Sequence, residues 1–377
     1  MIDPVTLLRP NIAALSPYST ARDECSGAPD VFLDANESPY ENGVNRYPDP
    51  RQKALKERLS ALKGVPAECL FLGNGSDEAI DLVFRLFCTP GRDNVVAISP
   101  SYGMYEVAAA TNDIAVRKVL LRPDFSLDSE ALLAATDAHT KLIFLCSPNN
   151  PSGNAFPNSQ VLDLAARFPG ILVLDEAYID FCRVPSLRKR VCDVPNLIVL
   201  QTLSKAWGMA GLRLGLAIAH PDVVAWMSRI KYPYNINILA QRTALEHLHT
   251  PVDAQVAEIV EQREMLVRTL PHFPFIRKVW PSEANFLLVQ VGPASGLPAS
   301  PNENAPAPDS ALAGTASALA GTDRPSPADA LYAHLLRDGI IVRNRSRVPL
   351  CAGCLRITVG TPDENRRLLE SLERYAL

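Results

Sequence analysis

Four unbroken apolar tetrads constrain this chain more than any other feature. Val95-Val96-Ala97-Ile98, Leu142-Ile143-Phe144-Leu145, Ile171-Leu172-Val173-Leu174 and Leu197-Ile198-Val199-Leu200 are each flanked by polar or turn-forming residues. Runs this short, without polar alternation, fit strands buried on both faces. Between them the apolar residues recur at helical spacing, as in Ala79-Ile80, Leu82-Val83 and Leu86-Phe87, and again in Val161-Leu162 and Leu164-Ala165. Strands that alternate with helices require crossover connections, so the pattern predicts an α/β fold with a mostly parallel sheet covered by helices on both faces. With 377 residues there is room for two to three domains of about 150 residues, or one large unit with appendages.

After Pro221 the pattern changes. Residues 222–231, 236–248 and 253–270 read as helices, 275–279 and 285–291 as strands, and 327–337 as a helix. Strands at 340–343 and 355–359 and a closing helix over 362–375, with Thr361 as its N-cap, complete a smaller α+β domain. Residues 292–327 belong to neither pattern: 25 of these 36 residues are Ala, Pro, Ser or Gly, and none is aromatic, Val or Ile. Such a stretch has too little apolar surface to offset its ordering entropy, and it is expected to be a flexible insertion.

Composition excludes several classes. A formal charge of −4 gives no basic surface for a phosphate backbone, so no nucleic-acid partner is expected. No run approaches the ~18 apolar residues of a membrane span, and the Met-Ile-Asp-Pro start has no basic, then apolar leader. The expectation is therefore a cytoplasmic protein with no membrane partner, its eight cysteines reduced. Cys351-Ala-Gly-Cys354 lacks the second pair of a zinc site and runs into a strand-like segment, so it is read as structural; the histidines show no metal spacing, and no metal is expected.

The chemistry gathers after the tetrads. Thr202-Leu-Ser204-Lys205 follows one, and Arg213 comes eight residues later in a glycine-studded turn. A lysine at the carboxyl end of a strand faces the crevice where open α/β sheets bind ligands, and there it can condense with a carbonyl. The arginine can hold a phosphate bidentately. Asp175 ends the Ile171 tetrad, thirty residues before Lys205, and a buried carboxylate must find a cation or donors. The protonated ring nitrogen of pyridoxal phosphate is such a partner. Asn149-Asn150-Pro follows the Leu142 tetrad and offers an amide donor. Gly73-Asn-Gly75-Ser76-Asp77 forms a glycine turn at a helix start, where free N–H groups can cradle a phosphate. Pro100-Ser-Tyr102 places an aromatic ring after another tetrad.

Taken together, Asn150-Pro-Ser-Gly, Asp175-Glu-Ala-Tyr178 and Ser204-Lys205 with Gly211-Leu-Arg213-Leu-Gly215 resemble the fold type I pyridoxal-phosphate-dependent aminotransferases. Within that family the resemblance is closest to the histidinol-phosphate aminotransferases. It rests on Pro17-Tyr18, Leu33-Asp-Ala-Asn36-Glu37, Arg46-Tyr47-Pro48, the Gly73–Ile80 stretch and Leu355-Arg356-Ile-Thr-Val-Gly. The resemblance implies a large cofactor-binding domain with a seven-stranded, mostly parallel sheet over about 41–250, an N-terminal arm over 1–40 and a small C-terminal domain over 251–377. It implies that Lys205 holds the cofactor covalently and shuttles the proton, that Asp175 pairs with the ring nitrogen, and that Asn150 and Tyr178 bond its phenolic oxygen. Tyr102 would stack on the ring. Ser76, Asp77, Thr202, Ser204 and Arg213 would hold the phosphate, joined by Tyr47 from a neighbouring subunit of a homodimer. Arg356, with Tyr18, Asn36 and Arg345, would meet the anionic end of a small-molecule substrate.

The implied reaction is amino-group exchange between L-histidinol phosphate and 2-oxoglutarate, in histidine biosynthesis. Decarboxylation of threonine phosphate and a broad aromatic aminotransfer compete on the same motifs. Two departures, Ser152 where Thr is usual and Trp207 where Phe is commoner, remove no reactive group. A transcription regulator built on this fold would carry a basic DNA-binding domain ahead of Asn36, where about thirty residues stand, so a regulator is not expected.

Overall fold

All four tetrads become strands, and every tetrad residue is buried. The structure, a computed structural model, describes residues 3–16, 30–293 and 325–376. They divide into two compact units, Met1–Asn150 with Asn154–Ala257, and Pro151–Gly153 with Glu258–Leu377.

The first unit is built on a seven-stranded sheet. Its strands are β1 (Leu70–Asn74), β2 (Asn94–Ser99), β3 (Ala115–Leu120), β4 (Thr140–Cys146), β5 (Ile171–Asp175), β6 (Leu197–Thr202) and β7 (Leu214–Ile218). They lie in the order β1-β7-β6-β5-β4-β2-β3. Only β7 runs against its neighbours, β1 and β6; the other pairs are parallel. The carboxyl ends of β1, β4, β5 and β6 therefore share one edge of the sheet with the amino end of β7. The edge strand β3 shows no apolar tetrad because Arg117 and Lys118 occupy its middle, and charge at a sheet edge discourages pairing with another chain.

The helix Gly75–Phe87 buries Ala79, Ile80, Val83, Phe84 and Phe87 in one cluster with Phe144, Val173, Ile198 and Leu200 from the sheet. Burying each of the larger side chains contributes about 1.5–3 kcal/mol. This packing fixes the start of the helix above the shared strand ends. Asp77 and Glu78 in its first turn suit the positive end of the helix dipole.

The second unit holds an antiparallel sheet in the order β10-β11-β9-β8, from β8 (Ile276–Val279), β9 (Phe286–Val291), β10 (Arg343–Asn344) and β11 (Cys354–Thr358). The helices Pro327–Arg337 and Pro362–Ala376 share its core. Thr361 caps the latter as expected: its Oγ1 accepts from the Glu364 N–H at 3.3 Å, and the Glu364 carboxylate accepts from the Thr361 N–H at 2.8 Å. The strand expected over 340–343 begins only at Arg343. Gly339, at φ 75°, and Ile340 are used to end the preceding helix, whose Leu336 and Leu335 carbonyls accept their N–H groups. Cys351 and Cys354 are buried, and burial pushes both thiols up to about 12. Tyr18 and most of the 292–327 stretch lie outside the described residues.

Candidate active site

The shared edge of the seven-stranded sheet carries a pocket of about 540 Å³, part of it open to solvent. Ten of the expected site residues line it. Ser76 and Asp77 come from the first turn of the helix that follows β1, Tyr102 from the turn after β2, and Asn150 from the loop after β4. Asp175 and Tyr178 come from the end of β5, Thr202, Ser204 and Lys205 from the end of β6, and Arg213 from the residue before β7. Each strand end delivers its residue because side chains past the last ladder bond are free to point into the crevice.

At one end the pocket is a cradle for an anion. Gly75, at φ 72°, turns the chain from β1 into the helix, and its N–H donates to the Arg213 carbonyl at 2.6 Å. A Cβ at Gly75 would lie 2.8 Å from the Arg213 guanidinium. One at Gly215 would lie 2.1 Å from the Ser76 nitrogen, so only glycine lets β7 pass beneath the helix start. The first-turn N–H groups of a helix have no carbonyl partners within it, and here Ser76 and Asp77 of that turn line the pocket together with Arg213. Arg213 adopts φ 55°, and its Nη2 lies 3.3 Å from Asp77 Oδ2. Tyr102 Oη donates to the other oxygen of Asp77 at 3.0 Å.

At the other end sits a buried acid. Asp175 is 2% exposed. Its Oδ1 accepts from the Ala177 N–H at 3.0 Å and its Oδ2 from the Tyr105 hydroxyl at 2.7 Å. Burial raises its carboxyl to about 6; the negative charge of Asp77 adds to the rise, and Tyr105, Ala177 and Lys205 oppose it. Both donors that bond it are neutral, so the carboxylate suits a cationic N–H in the pocket. Between the two ends, Lys205 Nζ lies 5.7 Å from the centre of the Tyr178 ring, and Asn150 Nδ2 donates to Tyr178 Oη at 3.4 Å.

The two asparagines of the Pro-Asn-Asn-Pro turn separate here. Asn149 is fully buried and ties the loops together through the Pro100 carbonyl and the Ser101 hydroxyl, each at 3.0 Å. Asn150 faces the pocket. Tyr105 and Cys146 were not expected at the site. Tyr105 lies one helical turn after Tyr102, and that spacing is the only trace of it in the sequence.

The remaining candidates lie elsewhere. Asn36 and Tyr47 line a second hollow of the first unit, where Tyr47 stacks on Tyr234 with ring centres 4.3 Å apart. Its N–H donates to the buried carboxylate of Glu37 at 2.6 Å, and Arg46 pairs with the same group at 3.0 Å. Arg356 and Arg345 belong to the second unit. Arg356 is on β11 opposite Arg343, with its guanidinium 5.2 Å from the centre of the Phe286 ring, and the Arg345 N–H donates to the Cys354 carbonyl at 2.8 Å. Among the described residues, no cluster of three or more His, Cys, Asp or Glu forms a metal site, and no helix is long and apolar enough to cross a membrane.

The residues present fit pyridoxal phosphate: a glycine turn, helix start and arginine for the phosphate, a buried acid bonded by neutral donors for the ring nitrogen, and a lysine for the aldehyde. Similarity to known proteins points the same way. A Parabacteroides distasonis protein named histidinol-phosphate aminotransferase is 51% identical over 379 residues, covering 100% of both chains. The structure of the Sinorhizobium meliloti histidinol-phosphate aminotransferase in complex with pyridoxal-5'-phosphate matches with a TM-score of 0.73 at 24% identity, covering 88% of this chain and 83% of that one. The L-threonine-O-3-phosphate decarboxylase of Porphyromonas gingivalis matches with a TM-score of 0.64 at 22% identity, covering 88% and 91%. The family model for aminotransferase class I and II spans residues 22–372, and with the lysine, acid and anion cradle assembled at the strand ends, the chain belongs to that family.

Proposed function

We propose that this chain is a pyridoxal-phosphate-dependent transaminase that exchanges an amino group between L-histidinol phosphate and 2-oxoglutarate, a step of histidine biosynthesis. The reaction type rests on one observation: the buried Asp175 carboxylate, bonded by neutral donors, shares a pocket with Lys205 and the Arg213 cradle. The substrate choice is supported by the identity to the P. distasonis relative over the full length of both chains. Likeness of fold does not choose the substrate, because the P. gingivalis decarboxylase shares the fold.

When bound, pyridoxal phosphate supplies an aldehyde that condenses with amines and a pyridinium ring that takes up an electron pair. Everything else falls to the chain. Arg213 and the N–H groups at Ser76 and Asp77 would hold the phosphate, together with the Thr202 and Ser204 hydroxyls. Asp175 would keep the ring nitrogen protonated. Tyr102 would lie against the ring, and Asn150 and Tyr178 would hydrogen-bond its phenolic oxygen. The amine of Lys205, in the same pocket, would be the base that takes up and returns the proton at the substrate α-carbon. One arginine fork can accept in turn the phosphate of one substrate and a carboxylate of the other. Arg356 is our candidate, with Arg345, Asn36 and Tyr18 as further contacts. Tyr47 is assigned to the phosphate of a second subunit's cofactor, which makes the working unit a homodimer.

The test is a coupled assay with purified protein, supplying histidinol phosphate and 2-oxoglutarate and reading glutamate. Threonine phosphate is offered separately, with carbon dioxide as the readout. Carbon dioxide from the second and no glutamate from the first would replace the transaminase by a decarboxylase.

A further inference from the structure

The geometry points to Tyr105 as a positioning residue of the reaction: its phenol holds the Asp175 carboxylate in its ionised form, facing the ring nitrogen. This rests on the reading above that Asp175 partners that nitrogen.

Two donors bond Asp175. The Ala177 N–H lies two residues along the same turn and moves with the carboxylate. Tyr105 comes from a different element, the helix Met104–Thr111, and among the described residues is the only side-chain donor, at 2.7 Å. Its ring is 1% exposed and clamped on two sides. Phe144 stacks on it with centres 4.8 Å apart at 22°, and Tyr102 meets it edge-on at 5.6 Å and 86°. A ring held this way cannot swing its hydroxyl off the carboxylate without opening the core.

The register of the sheet supplies the rest of the surroundings. Cys146 on β4 pairs with Asp175 on β5, so the two side chains share a face. The Cys146 thiol donates to the Pro148 carbonyl at 3.3 Å, which directs its proton away from the carboxylate. Among the charges acting on Asp175, that of Asp77 disfavours ionisation and that of Lys205 favours it. The phenol therefore offsets burial and Asp77.

The chemical consequence follows from a shared proton. A carboxylate with a fixed donor on its far oxygen is less basic and leaves the proton on the ring nitrogen. Without that donor it draws the proton to itself, the ring loses its positive charge, and the electron pair released at the substrate α-carbon has a weaker acceptor. The segment entering this helix thus carries two functions: Tyr102 lines the pocket, and Tyr105 bonds the acid.

Tyr105→Phe keeps the clamped ring and removes only the oxygen. With pyridoxal phosphate labelled with nitrogen-15 in the ring, the wild type should give a pyridinium resonance, and the variant should shift toward neutral pyridine. kcat should fall roughly 10- to 100-fold, the range for a hydrogen bond to a charged group. KM for 2-oxoglutarate should stay within about threefold of the wild type if only the reacting step is touched. A Tyr105→Phe protein with a lower melting temperature but an unshifted resonance and unchanged kcat per bound cofactor would make Tyr105 a packing residue and overturn the inference. Asp175→Asn is the control. If the wild type already shows neutral pyridine, or Asp175→Asn leaves the resonance in place, the assignment of Asp175 itself fails. If Asp175→Asn shifts it and Tyr105→Phe does not, only the role of Tyr105 fails. If the variant does not retain cofactor, the cofactor-free protein reads the same contact. The decline in its stability with rising pH should then extend upward by about one pH unit or more, and an unmoved profile overturns the inference.

Discussion

The ends of β5 and β6 present two faces built from neighbouring residues. On one face Asp175 and Thr202 line the pocket; on the other, Glu176 and Gln201 bond each other at 2.9 Å. Both acids are 2% exposed and both are raised by burial. Their partners differ. Glu176 accepts from the Ser186 hydroxyl, the Leu187 N–H and Gln201, and so ties down the turn at 186–187. Among the described residues Asp175 has two neutral donors, and it lines the pocket. The contrast shows that burial and charge do not make a functional acid. A carboxylate whose lone pairs are taken up by the fold is a structural tie, and one left short of donors at a crevice is available to a ligand.

Lys205→Ala should have the largest effect on this comparison, because it removes from the pocket face the amine proposed to react. We expect turnover to fall roughly 10²- to 10⁴-fold from lost proton transfer alone. Borohydride reduction and peptide mapping of the wild type should place the pyridoxyl group on Lys205; a label on another lysine would contradict its role. Next, Asp175→Asn should cut kcat about 10²- to 10³-fold while cofactor remains bound, as when a preorganised electrostatic partner is removed. Near-normal turnover with full cofactor occupancy would erase the distinction between the two faces.

Glu176→Gln should do the reverse. Leaving one or more of its donors unmatched should cost about 1–3 kcal/mol of stability in denaturant melts, with kcat within about threefold of wild type because no reacting group is lost. A collapse of activity without loss of stability would move Glu176 into the site. The smallest effect is a pH slope in the cofactor-free protein. Asp175 titrates at about 6 when folded, against ~3.9 when unfolded, so the native state binds its proton more tightly. The stability this proton confers is full below about pH 4 and is lost as pH rises to about 6, by on the order of 2–3 kcal/mol. Asp175→Asn should remove that component, and Glu176→Gln should leave it in place.

Much of the pocket was legible in the sequence because the topology writes it locally. Asp175, Thr202 and Lys205 follow apolar tetrads, and a residue just past a fully buried strand has few places to go but the crevice. What was not legible depends on contacts between distant segments. Nothing near Tyr105 announces a partner 70 residues away on β5. The division of labour between Asn149 and Asn150 is fixed by which of them meets the loop at Pro100. Residues 340–342, Ile-Ile-Val, are β-branched as in a strand, yet the end of the preceding helix takes up their start. β3 lacked the apolar run because it is an edge. The arginines of the second unit and Tyr47 were named through family resemblance, not through any local pattern.

The reversed strand β7 has a consequence for how the enzyme would let its cofactor go. Because β7 returns antiparallel to β6, with Thr202 opposite Gly215, Lys205 and Arg213 both sit in one hairpin loop. The loop is cross-tied by bonds from the Leu203 N–H to the Leu214 carbonyl and from the Met209 N–H to the Leu203 carbonyl, both at 3.0 Å. A molecule gripped at one end by the lysine and at the other by the arginine bridges that loop like a staple. Opening the hairpin and releasing the molecule then become a single event. Amide exchange at Leu203 and Met209 should slow with occupancy of the pocket, recording how long the cofactor stays.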